Sequence, residues 1–310
     1  MRTFGCIIIF VGIVLLMPIL ALGAKSISGD HFLLAENIPA KVTDPVNKNL
    51  VWNRWTNGKF VILSIDNEQG KYVQANIAQL RSWAANRWGF PDLVLDRECR
   101  IIIVPNKALM KKLFGISTSK AECMLDSTGK VRMYAAWVVF DDSFELCFAP
   151  SVMKLYLSAY ERATNIKMGA WAHKGMSYLS KPVPNIAGGF RELGMLIEGD
   201  TKVLFSRGLL ASDRATFDKY SGVNKSLFDV QSAVLCLMIR KEFGQQNFMR
   251  LAASKGTEDD LRKATGYTSY DAFDRAFKRY MIYLSNDIGN NRTPTQYLDI
   301  KPVYIMLTQR

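Results

Sequence analysis

The spacing of apolar positions predicts strands in the first half of the chain and helices in the second. Short runs of apolar, β-branched residues are typical of buried strands. Gly129 lies late in a polar turn between two of these runs, as hairpin loops prefer. The predicted strands are 60–65, 100–105, 121–125, 130–140 and 144–148.

Helices are predicted wherever apolar residues recur three or four positions apart. Val73 and Ile77 begin one such face, and Gly115 and Gly244 are expected to end helices. Pro150 is expected to open a helix, because its fixed φ suits the first turn. The stretch from 182 to 222 is predicted to be mostly loop. The predicted helices are 72–88, 107–114, 151–165, 170–179, 228–243, 246–255, 257–265 and 270–284.

This order of elements predicts an α+β fold, in which a small mixed β-sheet with helices is followed by a mostly helical half. Trp52 and Trp55 are expected to pack onto the domain from an extended lead-in. The predicted divisions are a signal peptide or membrane anchor at 1–24, the lead-in at 25–58, the domain at 59–285 and a C-terminal tail at 286–310.

The N-terminus resembles a secretory signal. Arg2 precedes nineteen uncharged residues from Cys6 to Ala24. Pro18 and the small residues at the end of the run favour cleavage, whereas its length also suits a membrane span of roughly 20 residues. We therefore expect a secreted or periplasmic protein, with anchoring through residues 6–24 as the alternative.

Charge and cysteine content narrow the function only slightly. The net charge is +12, but no run of five basic residues occurs, which favours a soluble basic surface over a nucleic-acid partner. In an oxidising compartment, Cys99 and Cys123 are the likelier pair if a disulfide forms, but a domain of this size does not need disulfides to fold, so the pairing stays open. Cys147 and Cys236 lie in apolar runs and are expected to be buried thiols.

Two neighbouring helical motifs carry the candidate chemistry. The first is Tyr160-Glu-Arg-Ala-Thr164, and the second contains Trp171, His173 and Gly175, followed by Met-Ser-Tyr-Leu-Ser. Together they resemble the paired active-site helices of the peptidase-MA-like, gluzincin-type metallopeptidases. In that family HExxH supplies two histidine ligands and a general base, and a W-x-x-E-G motif supplies a glutamate ligand. With weaker matches downstream the resemblance spans residues 60–284, and it implies a zincin-like fold.

The zinc ligands themselves are replaced. Tyr160 and Thr164 stand at the two histidine positions, and Lys174 stands at the glutamate position. Neutral hydroxyls are poor zinc ligands, and a lysine cation repels the metal. Only Glu161, the general base in active members, is retained, so the resemblance implies a vestigial base and no metal cofactor. An ion pair between Lys174 and Glu161 is one expected replacement for the metal.

The resulting expectation is an exported, catalytically inactive peptidase-MA-like protein that binds a protein or peptide partner as a scaffold. The alternative is an active zinc-dependent peptidase with a rearranged metal site, which would have to recruit His31 and His173, the histidines of the mature chain. No GxSxG motif and no glycine-rich phosphate loop is present in the sequence to support other chemistry.

Overall fold

The computed structural model describes residues 31–35, 37–88, 95–141, 144–181, 183–198, 206–210 and 223–289. Within these ranges the strands lie in the first half of the chain and helices dominate the second, which confirms the predicted α+β fold. The predicted signal or anchor at 1–24 lies outside the described residues, as does residue 290 onward in the tail.

Six strands and a short 3-10 helix (Phe32–Leu34) are described in the first half. The strands are β1 (Lys41–Thr43), β2 (Val51–Asn57), β3 (Phe60–Ser64), β4 (Cys99–Val104), β5 (Lys120–Leu125) and β6 (Val131–Val139). The described helices are α1 (Asn67–Trp88), α2 (Lys107–Phe114), α3 (Phe144–Thr164), α4 (Ala170–Leu179), α5 (Val183–Glu198), α6 (Ser206–Leu210), α7 (Val223–Phe243), α8 (Gln245–Ala252), α9 (Glu258–Thr265) and α10 (Tyr270–Gly289).

The strands form one mixed sheet in the order β1-β2-β3-β4-β6-β5. The three central strands are parallel, so that Ile62 lies opposite Ile101 and Ile101 lies opposite Ala136. Antiparallel hairpins flank them on both sides. The central strands are buried on both faces, which explains why their sequences are continuously apolar rather than alternating.

Each face of the sheet has its own hydrophobic core. The first core covers the face that carries Ile62 and Ile101, and it contains residues from α1, α3 and the later helices. The second core covers the opposite face, where Trp52 and Phe114 pack with the 3-10 helix and α2. The helical half of the chain therefore lies against one side of the sheet only.

The predicted lead-in contributes directly to this sheet. β2 pairs with β3 across the predicted boundary at residue 58, and β1 extends the same antiparallel edge. Trp52 is fully buried in the second core, and Trp55 packs against the first core, as expected. Asp44 fixes the connecting turn by accepting hydrogen bonds from the backbone amides of Val46 and Asn47. Residues 41–57 are therefore part of the fold.

Two predicted boundaries near the sheet are wrong. The helix predicted to begin at residue 72 begins at Asn67 instead, because the Asp66 carboxylate accepts hydrogen bonds from the amides of Glu68 and Gln69 and caps α1. Residues 144–148 form the beginning of α3 rather than a strand. Phe144 and Phe148 are one helical turn apart, buried and stacked, and their burial outweighs the cost of Pro150 inside the helix.

The stretch predicted to be mostly loop contains α5. Its buried residues Ile186, Phe190 and Ile197 follow helical spacing, but two adjacent glycines hide the pattern in the sequence. An added Cβ at Gly189 would lie 2.0 Å from the Tyr178 hydroxyl, whereas one at Gly188 would meet nothing within 4 Å. Gly189 therefore allows α5 to approach α4 closely.

Among the described residues, no helix combines the length and the apolar character that a membrane span requires.

Candidate functional site

The two motifs lie on α3 and α4, which pack side by side as predicted. Asn165 ends α3 with a left-handed backbone (φ 54°), and the Ile166 amide donates to the Glu161 carbonyl at 3.1 Å. The amide of Gly169 donates to the Ala252 carbonyl at 2.8 Å, which ties the start of α4 to the end of α8. The helix pair is therefore held both locally and by a distant helix.

The carboxylate of Glu161 closes the loop between these helices. Its Oε1 accepts a hydrogen bond from the Met168 amide at 2.6 Å and lies 2.9 Å from Nε2 of His173. Both side chains are about three-quarters buried, with 23% of Glu161 and 24% of His173 exposed. Glu161, which the sequence predicts to be a vestigial base, is thus engaged by the protein's own Met168 amide and His173 ring.

The same contacts determine the charge state of this carboxylate. Burial alone would raise the pKa of Glu161, but the hydrogen bond and charge of His173 oppose it. The Met168 amide and the Lys167 charge act in the same direction as His173, and the net result is a lowered pKa. Glu161 is accordingly an anion near neutral pH, which suits an acceptor of hydrogen bonds.

Tyr160 and Thr164, the other two positions of the first motif, also make structural contacts. Tyr160 is 9% exposed and belongs to the first core, and burial raises the pKa of its hydroxyl. The Thr164 hydroxyl donates to the Tyr160 carbonyl at 2.8 Å, one turn back along the same helix. On α4, His173 contacts Glu161, and Lys174 follows it at about 100° around the helix.

Packing explains two further residues of the second motif. Trp171 is 1% exposed and meets Phe248 of α8 edge to face, with ring centroids 5.9 Å apart. A Cβ added at Gly175 would lie 2.4 Å from both Cys236 Sγ and the Ser232 carbonyl of α7. Only glycine lets α4 and α7 approach this closely, so Gly175 has a structural function that needs no metal site.

The chain's two histidines lie on opposite sides of the sheet, so they cannot share a metal. Nδ1 of His31 accepts a hydrogen bond from the Leu33 amide, and its ring packs against Phe114 in the second core. His173 lies on the helical side of the sheet, next to the first core. In the described part of the chain, no group of three or more His, Cys, Asp or Glu residues is arranged to hold a metal ion.

The strand order excludes a disulfide between Cys99 and Cys123. Both residues pair with Tyr134 of β6, one from β4 and the other from β5, so an entire strand separates them. Two strand spacings amount to about 9.5 Å, beyond the roughly 7 Å limit between the Cα atoms of a disulfide. No disulfide joins the four described cysteines, and burial raises the pKa of Cys99 and Cys236.

A second polar cluster lies at the other end of the α3–α4 pair. Nζ of Lys181 lies 4.2 Å above the ring of Tyr178. Burial lowers the pKa of Lys181 and Lys154 lowers it further, against the opposing effect of Asp229. Burial, with Asp229 and Glu192, raises the pKa of Tyr178 to about 12. Sequence reasoning missed this cluster, because Lys181 lies two residues beyond the end of the predicted helix and its contact with Tyr178 depends on how the chain leaves α4.

The geometry around Glu161 therefore supports a role for this carboxylate in closing the loop between α3 and α4. In comparisons with known proteins, no family model matches this chain and no curated protein is significantly similar to it.

Proposed function

We propose that this chain is an exported, catalytically inactive protein of the peptidase-MA-like type that acts as a binding or scaffold domain. The observation that carries the proposal is the engagement of Glu161 Oε1 by the Met168 amide and by His173. A general base must reach the proton that it abstracts. A carboxylate that holds a loop closed serves the fold instead.

The residues at the former ligand positions support the same proposal. A catalytic zinc site needs three protein ligands around an open position. Tyr160 is buried, the Thr164 hydroxyl donates within its own helix, and Lys174 adds a positive charge. Without a metal to lower the pKa of water, an ordinary carboxylate does not produce hydroxide at neutral pH.

Export is the part of the proposal that rests on residues 1–24 alone. The nineteen uncharged residues suit targeting to a membrane, and the small residues after them suit cleavage. Cell fractionation and N-terminal sequencing test it: we expect the protein outside the cytoplasm. An intact N-terminus on a cytoplasmic protein would contradict export and leave the proposal about catalysis standing.

Metal analysis of the purified protein tests the loss of catalysis. After dialysis against zinc, we expect far less than one zinc per chain and no peptide hydrolysis, with the same result for Glu161→Gln. About one zinc per chain, together with hydrolysis that Glu161→Gln abolishes, would favour the rearranged peptidase.

A designed restoration tests the resemblance itself. The triple variant Tyr160→His, Thr164→His and Lys174→Glu supplies the three missing ligands, so we expect it to bind about one zinc per chain. Lys174→Glu alone is the matched control and should bind none, because both histidines are still missing. A folded triple variant that binds no zinc would show that these positions do not converge on a metal site.

A further inference from the structure

His31, the first described residue, lies between the end of α2 and the turn that joins β1 to β2. Its ring lies 4.8 Å from the ring of Phe114, the last residue of α2. Phe114 meets Trp52 edge to face at 6.4 Å, and the Trp52 indole donates to the Asp44 carboxylate in the turn. The start of the described chain, the end of α2 and the β1–β2 turn therefore occupy one region of the molecule.

This region is close along the chain to the uncharged N-terminal segment. Six residues separate Ala24, the last residue of that segment, from His31. The path from Ala24 to His31 is therefore at most about 25 Å long, even when fully extended. A chain that carries residues 6–24 into a membrane keeps His31, and the region around it, within this distance of the bilayer.

The side of α2 that faces solvent in this region is basic. Met110 and Phe114 are one turn apart and buried in the second core, whereas Ala108, Lys111 and Lys112 are exposed. The three exposed positions span about 100° on the side of the helix that faces away from the core. Because alanine is small, it leaves the two lysines as the groups that project furthest from this side.

Nearby acids do not neutralise these lysines. Residues 99–121 contain five lysines or arginines and no aspartate or glutamate. Within the described ranges, Lys111 and Lys112 have no acidic partner, whereas Lys107 on the flank of the helix pairs with Asp141 at 3.5 Å. The outer side of α2 therefore presents two positive charges to solvent.

The β1–β2 turn adds an exposed apolar side chain and a third lysine. Val46 is 90% exposed, and Lys48 is exposed without an acidic partner among the described residues. Asp44, the acid in this turn, is buried, and its two oxygens accept hydrogen bonds from two amides of the turn and from the Trp52 indole. The turn is therefore held in place by an internal carboxylate, and its solvent side is apolar and cationic.

We propose that this part of the domain rests on the headgroups of an anionic phospholipid bilayer. The surface involved, here called the basic face, consists of the exposed side chains Val46, Lys48, Lys111 and Lys112. The inference rests on the membrane-directed segment of the proposed function and deepens it, because it assigns the side of the domain that meets the membrane.

The chemistry of the basic face fits an anionic bilayer. A lysine near such a surface strengthens attachment by about fivefold, and the three lysines act on the same side of the domain. An exposed valine that enters the headgroup layer adds the burial of apolar surface. Val46 is otherwise left almost entirely in water.

Attachment of the chain to the membrane favours a bilayer over a freely diffusing acidic partner. Three lysines alone bind anions weakly, because salt screens exposed charges beyond about 8 Å at physiological ionic strength. A short tether holds the basic face at an effective concentration in the millimolar range. Contacts that are too weak for a free ligand are therefore sufficient for the membrane in which the segment lies.

Lysine acetylation of the full-length protein in lipid nanodiscs tests the proposal. The nanodiscs contain either phosphatidylglycerol or only phosphatidylcholine, the reagent is uncharged acetic anhydride, and mass spectrometry measures the rate at each lysine. We expect Lys48, Lys111 and Lys112 to react about threefold or more slowly in phosphatidylglycerol. Lys255 and Lys278, exposed on helices of the other half, should react equally in both lipids.

Salt and protein concentration separate the bilayer from other causes of protection. Raising the salt to about 1 M shortens the screening length to about 3 Å and should remove the protection. Equal rates in the two lipids at low salt would overturn the proposal. Protection that appears without lipid and rises with protein concentration would assign the basic face to a second copy of the chain, and would overturn it as well.

Matched charge reversals test whether the basic face acts as a unit. With Lys111→Glu and Lys112→Glu together, the protection of Lys48 in phosphatidylglycerol should fall below about 1.5-fold. The control, Lys255→Glu with Lys278→Glu, changes the net charge equally and should leave the protection of Lys48 intact. Equal losses in the two double variants would show that net charge, rather than this face, governs the contact.

Val46→Glu tests the turn independently of the lysines. Because Val46 is 90% exposed, the substitution should leave the thermal midpoint unchanged. It places a negative charge against the headgroups, so the protection of Lys111 and Lys112 should fall by about twofold or more. Met195→Glu is the matched control on α5, since Met195 is 66% exposed, and it should have no effect. Equal effects of the two substitutions would refute the assigned orientation.

These measurements are independent of the other parts of the proposed function. The nanodisc supplies the membrane directly, so the result does not depend on where a cell sends the protein. Export fails or stands on cell fractionation, and the loss of catalysis fails or stands on metal analysis. A domain that shows no lipid-dependent protection would therefore overturn the basic face alone.

Discussion

Replacement of Glu161 by alanine should destabilise the protein measurably. The substitution removes the acceptor of two hydrogen bonds and leaves the amide of Met168, a residue that is 4% exposed, without its partner. Hydrogen bonds to charged groups contribute about 1.5–3 kcal/mol each when buried. Because nearly a quarter of the Glu161 side chain is exposed, we expect a total loss of about 2 kcal/mol.

Urea unfolding followed by tryptophan fluorescence measures this loss at neutral pH. A reduction of about 2 kcal/mol corresponds to a fall of about 4–8 °C in the thermal midpoint for a protein of this size. Glu161→Gln keeps one oxygen acceptor but not the charge, so it should lose about 1 kcal/mol. In a double-mutant cycle with His173→Ala, the two residues should show a coupling energy of about 0.5–1 kcal/mol.

The same variant makes a prediction about pH. The pKa of Glu161 is lower in the folded protein than in the unfolded chain, so the unfolded chain takes up a proton first as the pH falls. The stabilisation by Glu161 is therefore complete above the unfolded pKa, near 4.3, and is lost as the pH falls through the folded pKa. The difference in the free energy of unfolding between the wild-type protein and Glu161→Ala should therefore become smaller as the pH falls. A neutral-pH difference below about 0.5 kcal/mol, or one that does not narrow in acid, would refute the assigned role.

Three further substitutions or measurements test the packing and the chemistry of the fold. Gly188→Ala should stabilise α5 by about 0.5–1 kcal/mol, because helix interiors favour alanine, whereas Gly189→Ala should cost about 2 kcal/mol, because the new methyl group would collide with a tyrosine hydroxyl. Urea unfolding of both variants measures these two changes in stability. Equal free energies of unfolding would contradict the close approach of α5 to α4. Thr257→Ala should lower stability by about 1 kcal/mol, because it removes the capping box at the start of α9; an unchanged midpoint would contradict that role. Cys99 and Cys123 should both react with an alkylating reagent after denaturation without reductant, and mass spectrometry that instead finds them crosslinked would contradict the strand order.

Local signals explain why several elements could be predicted from the sequence. α2 begins and ends at the predicted residues, because the Asn106 side chain accepts a hydrogen bond from the Leu109 amide and Gly115 adopts a left-handed backbone. The buried strands β3, β4 and β6 were equally clear, since long β-branched runs in a central position leave few alternatives. Each of these elements is defined by residues within or next to it.

Elements that depend on distant contacts could not be predicted in this way. The first turns of α3 are helical because Phe144 and Phe148 pack into a core built partly from residues far away in sequence. Within α5, Gly189 weakens the helical pattern locally but is required by Tyr178 of the neighbouring helix. Propensity and tertiary packing conflict at these positions, and packing determines the structure.

The candidate site likewise combines a feature that the sequence predicted with one that depends on distant contacts. The motifs placed Glu161 near the following helix, but the rotation of α4 about its axis determines which of its residues meets the carboxylate. That residue is His173, which precedes Lys174 and lies about 100° from it around the helix. The sequence contained no signal for this rotation, because both side chains are able to pair with an acid.

The hydrogen bonds at the start of α4 have a consequence for local exchange kinetics. The adjacent amides of Met168 and Gly169 donate to acceptors in different parts of the chain, the Glu161 side chain and the Ala252 carbonyl at the end of α8. Hydrogen–deuterium exchange at each amide requires its own bond to open. Exchange at Met168 therefore reports opening of the loop, whereas exchange at Gly169 reports undocking of α8, and two neighbouring residues measure two separate motions.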